Sequence, residues 1–215
     1  MPTKTIPPMK KKFLRFALLT TVLSLFATGC EEPPKSKVIA GVSIPTLHTN
    51  RLNGTWVGSD GERRVLATRI KNPQEGVVEA GALNASDKEI SLGRFDVALR
   101  DSPAGLLWSA NERAFEENKK EKEEAPGNFY FGRLVITDDH MLIFLPDRSE
   151  ISDLVERGIL KATYEKNDKG EEVGFPVLET LDQEQFDRLA TNNVNPLLLF
   201  ASEPEFVFVR LNKKD

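Results

Sequence analysis

From residue 52 onward the chain is a succession of short apolar runs rich in Val, Ile and Phe, each bounded by Gly, Pro, Asn or Asp. That punctuation most restricts the fold, because such runs make strands and the bounding residues make turns. Strands are predicted near 54–57, 63–71, 77–83, 90–100, 106–109, 128–137, 141–145, 163–166, 172–178 and 205–211. The first half offers consecutive strands with no crossover helix between them, and parallel strands need one. The expected fold class is therefore mainly β (α+β): a curled antiparallel sheet or small barrel carrying two short covering helices. A parallel α/β arrangement is the alternative, since strand–helix pairs occur at 141–158 and 172–190.

The two helices are read from capping boxes. Asp147 precedes Glu150 by three residues and Thr180 precedes Gln183 by three, so each side chain can satisfy orphan amide donors. Ile151, Leu154 and Val155 then form one apolar stripe, and Phe186, Leu189 and Ala190 another. Within 90–99 the apolar parity changes: Ile90 and Leu92 share one face while Phe95, Val97 and Leu99 share the other. Gly93 stands at the switch, where a bulge or sharp bend is expected.

The beginning of the chain has a different character. Residues 1–29 carry Lys4, Lys10, Lys11, Lys12 and Arg15 and no acid, and an apolar run of about 15 residues follows the basic start. That is short of the roughly 20 residues of a permanent membrane span, so 1–29 reads as a cleaved export signal. The run ends in Ala27-Thr28-Gly29-Cys30, which resembles the lipobox of bacterial lipoproteins, although Ala27 stands where leucine is usual. The resemblance implies a diacylglycerol thioether on Cys30, which becomes the new N-terminus. At about 0.8 kcal/mol per buried CH₂, several acyl chains hold such a protein on a membrane permanently. Glu31 rather than Asp follows the cysteine, which favours the outer over the inner membrane. Residues 30–50, with Pro33, Pro34 and Pro45 and no amphipathic period, read as a lipidated cysteine and flexible tether; 51–215 form a single β-rich domain.

Loss of 1–29 removes five positive charges, leaving 24 basic against 33 acidic residues and a net charge of −9. An acidic body repels phosphate backbones, so nucleic acid is not an expected partner and the membrane is engaged through lipid. With Cys30 lipidated, no cysteine remains for a disulfide, and an apolar core must supply the stability.

Gly54-Thr55-Trp56, at the first strand of the domain, resembles the glycine-x-tryptophan opening of lipocalins and related small β-barrels. In those barrels an arginine of the last strand packs over the tryptophan at the closed end, and Arg210 occupies a comparable place. Thr137-Asp138-Asp139 is a distorted echo of the family's second motif. The resemblance implies a lipocalin-like barrel with Trp56 and Arg210 as structural residues, and it transfers no ligand.

Candidate chemistry is thin. Two histidines and one cysteine leave little for metal binding or nucleophilic catalysis, so no catalytic residue, metal or cofactor is assigned and the chain is not expected to be an enzyme. Asp138-Asp139-His140 reads as a hairpin turn. His48 lies in the tether segment. Glu62, Asp96, Glu112 and Glu179 are read as scattered surface carboxylates rather than an acid pair. The mixed charge run of 111–127 reads as a solvated loop, or more sharply as a docking site for a basic partner. Phe129, Tyr130, Phe131, Phe144, Phe206 and Phe208 come from neighbouring strands, and a filled interior is the expected reading because packed cores leave few voids. A cavity would need roughly 300 Å³ to hold a typical ligand. In that case Phe131 and Phe208 are the expected lining, with a small apolar or amphipathic ligand as partner. The alternative is an envelope interaction protein acting through its acidic surface.

Overall fold

The computed structural model describes residues 33–59, 63–85, 90–115, 127–167 and 169–211. In chain order its elements begin with β1 (Lys35–Ser36), α1 (Thr49–Leu52), β2 (Gly54–Gly58), β3 (Arg63–Asn72), β4 (Val77–Ala85), β5 (Ile90–Ser102) and β6 (Gly105–Asn111). They continue with β7 (Phe129–Ile136), β8 (His140–Phe144), α2 (Arg148–Glu156), β9 (Ala162–Lys166), β10 (Glu172–Leu178), α3 (Gln183–Thr191) and β11 (Phe206–Arg210). Strands β2 to β8 form an antiparallel meander, β11 inserts between β2 and β8, and the β6–β7 pairing closes the sheet into an eight-stranded barrel. Closure removes the edges that an open antiparallel sheet would expose.

Side-chain alternation divides the apolar residues between two cores. Inside the barrel lie Trp56, Val78, Leu99, Tyr130, Met141, Phe206 and Phe208. Outside, Leu107, Phe131 and Phe144 of β6, β7 and β8 meet Ile151 and Leu154 of α2 and Phe186 and Leu189 of α3. Both helices thus cover one flank of the barrel. Asp147 caps α2 by accepting from the Glu150 amide at 3.0 Å. Gly158, at φ 68°, ends the helix in the left-handed conformation that a side chain disfavours. For α3 the cap is Asp182, whose carboxylate accepts from the Gln185 amide at 3.2 Å, not the expected Thr180. The capping box is displaced because Asp182 immediately precedes the first helical residue.

The segment expected as a tether is built into the domain over much of its length. Lys35 and Ser36 are buried, pairing antiparallel with Tyr130 and Phe129 of β7 and parallel with β10. Gly41 donates to the Leu181 carbonyl, and Ser43 bridges Asp101. The strand is two residues long and its partners lie far along the chain, so no local period marks it. Strands β1, β10 and β9 continue the sheet from the first half of β7, while β8 pairs with its second half, so the wall forks there. The register of β4 with β5 runs unbroken from Val77 opposite Ala98 to Ala85 opposite Ile90, so Gly93 carries no bulge. The register shifts fall instead in the β3–β4 and β9–β10 pairings. Cys30 and residues 116–126, most of the 111–127 charge run, lie outside the described residues.

Candidate functional site

One end of the barrel is shut by a polar joint around Trp56, which is completely buried. Register sets Arg210 of β11 opposite Trp56 of β2, and the guanidinium carbon lies 4.3 Å from the centre of the indole. Arg210 also donates to the carbonyls of Asn53, at 3.3 Å, and Arg51, tying the last strand to α1. The indole Nε1 donates to Thr68 Oγ1 at 3.0 Å, and that hydroxyl donates in turn to the Leu52 carbonyl. The Asp138-Asp139-His140 hairpin turn docks on the same end: Asp139 accepts from the Arg210 amide, and Asp138 lies 3.4 Å from Arg51.

Above this joint the interior holds a cavity of about 100 Å³. Leu66, Phe95, Trp108, Met141, Phe206 and Phe208 are prominent in its lining, and the one polar side chain, Thr68, is engaged in the joint. Phe208 therefore faces the cavity as expected. Phe131 does not: it points through the other side of β7 into the helix-covered core, where its ring meets Phe200 edge-on at 6.4 Å. Tyr130 takes the interior position instead, because neighbours on a strand point to opposite faces. The cavity is about a third of the volume at which ligand pockets usually begin.

The remaining sequence candidates are dispersed. Asp96 pairs with Lys71 at 2.6 Å on the outer wall. Glu112 pairs with buried Lys35 at 2.9 Å, Glu179 is exposed, and Glu62 lies outside the described residues. Among the described residues no three His, Cys, Asp or Glu side chains gather closely enough to hold a metal ion.

Three charged features escaped the sequence reading. Arg64 is only 6% exposed and lies over the Phe206 ring at 5.1 Å, at the barrel end opposite Trp56. Period-two alternation would have found it, since it shares a face with Leu66 and Thr68. On the outer wall Glu79 lies between Arg69 and Arg94. The hydrogen bond from Arg94, with the charges of Arg94, Arg69 and Lys71, holds its carboxyl below the ordinary value. Arg133 stacks on its cross-strand neighbour Phe144 at 3.9 Å, and burial pushes its guanidinium below the ordinary arginine value.

These features define a closed eight-stranded antiparallel barrel of lipocalin-like design, plugged at one end by α1 and holding a small apolar chamber. No family model, curated protein or solved structure matches the chain.

Proposed function

We propose that this chain is a lipid-anchored bacterial envelope protein, attached through Cys30 and non-catalytic, whose barrel binds the narrow apolar end of a small amphipathic molecule. The observation that supports the binding reading is the chamber, lined by apolar side chains around a single engaged hydroxyl. An engineered cavity of about 150 Å³ with similar lining stays dry and takes up benzene. A chamber of about 100 Å³ suits the tip of an aliphatic chain better than a ring. Arg64 lies on the interior face toward the other end, where it can meet a polar head.

The anchor reading rests on the basic start, the apolar run and Ala27-Thr28-Gly29-Cys30. Mass spectrometry of the native N-terminus tests it: an unmodified Cys30, or retention of residues 1–29, overturns it. For the ligand, the full chain is titrated with decanoate while following tryptophan fluorescence, because Trp108 lines the chamber. Saturable binding that Ala80→Phe abolishes, with stability retained, is the expected result. Absence of decanoate binding together with an empty protein in native mass spectrometry overturns the ligand reading.

The small volume favours a second reading, an envelope interaction protein presenting its acidic surface or residues 111–127 to a partner. Loss of proximity-labelled partners on deletion of 111–127 is its test.

A further inference from the structure

A second concavity lies at the flank of the barrel beside the interior chamber, with Leu52 and Leu134 in the lining of both. It is a groove of about 300 Å³ between the segment that leads into α1 and strands β6 and β7. Thr46, His48, Arg51 and Arg133 supply its polar lining, and Leu47, Leu106 and Val135 are among the apolar side chains beside them. No carboxylate lines it, although acidic residues outnumber basic ones in the chain as a whole. Arg51 is engaged with Asp138 at 3.4 Å, and Asp101 is the cross-strand neighbour of Leu106.

Arg133 is the unusual member. Its guanidinium carbon lies 3.9 Å from the centre of the Phe144 ring, and its Nε is buried without a hydrogen-bond acceptor. Among the described residues no carboxylate pairs with it. Arg133 lines a groove that holds no carboxylate, and a planar anion is the group that matches a guanidinium's fork of donors best. Contact with the Phe144 ring restrains the side chain in advance, which lowers the ordering cost of binding. The groove also reaches the lower limit of ligand-pocket size, which the interior chamber does not.

We propose that this groove is a binding site for a small organic carboxylate with a compact apolar body, its carboxylate held by Arg133 and its body against Leu47, Leu106 and Val135. Thr46, His48 and Arg51 form the polar rim. Leu52 and Leu134 line both the groove and the chamber, whereas Arg133 lines the groove and not the chamber, so anion binding here is read out separately from filling of the interior.

The probe is 4-fluorobenzoate, added to the full chain in a non-ionic detergent and followed by ¹⁹F NMR, with neutral 4-fluorobenzamide alongside. The benzoate is expected to bind at least tenfold more tightly than the amide. Arg133→Gln should remove that preference, and Arg133→Lys, which keeps the charge but loses the fork, should restore only part of it. Thr46→Trp, a change at an exposed position, should block the groove without altering the fold, so it serves even where an Arg133 variant folds poorly. Equal binding of acid and amide overturns the proposal, as does benzoate binding that survives Thr46→Trp. Displacement of the benzoate by inorganic phosphate at equal concentration overturns the assignment to carboxylates.

Discussion

Replacing Thr68 by Val tests how the closed end is held. The change is nearly isosteric, so it removes a hydroxyl and leaves the shape. That hydroxyl accepts from Trp56 Nε1 at 3.0 Å and donates to the Leu52 carbonyl, so its loss orphans one donor and one acceptor at once. Trp56 is fully buried and its indole N–H has no route to water; an unsatisfied buried group costs about 1–3 kcal/mol. The Leu52 carbonyl, at the end of the short helix α1, loses its Thr68 donor at the same time. A net loss of about 2–3 kcal/mol follows, which for a domain of this size lowers Tm by roughly 4–12 °C. The assay is urea unfolding of the full chain, with the slope of the transition compared between variants, so that a change in stability is separated from a change in the surface exposed. Thr68→Ser is the control: it keeps the hydroxyl and loses a methyl group, and it should retain most of the stability. A Val variant within about 0.5 kcal/mol of the parent, or a Ser variant as damaged as the Val variant, would refute the relay.

Gly132→Ala should be disruptive, because a Cβ there would stand 2.5 Å from the Phe144 carbonyl oxygen and 2.6 Å from Trp108 Nε1. Overpacking against backbone costs about 1–3 kcal/mol or more, and thermal unfolding should show it. Asp147→Ala should lose about 1 kcal/mol through the cap of α2, whereas Thr180→Ala should be close to neutral because Asp182 caps α3; chemical denaturation of both variants checks the contrast. Glu79 should titrate by NMR below the ordinary value of 4.5, and Glu79→Gln should remove its share of the acid dependence of stability. Its folded pKa is depressed, so its contribution is full above the unfolded value and is lost as the pH falls through the folded one; added salt should weaken the effect, since the cluster lies on the outer wall.

Much of the fold was legible in the sequence, because strands and their turns are written locally. Alternation of apolar residues, glycine and asparagine at turns, and Asp147 three residues before Glu150 all act within one element, so composition along a short stretch determined them. The Gly54-Thr55-Trp56 opening and the terminal Arg210 marked the two strands that meet at the closed end. What the sequence could not decide was which side of the wall each aromatic faces. Phe129, Tyr130 and Phe131 are consecutive, and only closure of the barrel puts Tyr130 inside and Phe131 under the helices. The two-residue strand β1 was invisible for a related reason: its partners are Tyr130 of β7 and Val177 of β10, 95 and 142 residues beyond Lys35, and no local pattern encodes a partner at such distances. Chamber size and the joint around Trp56 likewise depend on side chains from strands far apart in the chain. Packing volume and electrostatic pairing belong to sets of residues that become neighbours only when the sheet closes, so the tertiary structure alone decided them.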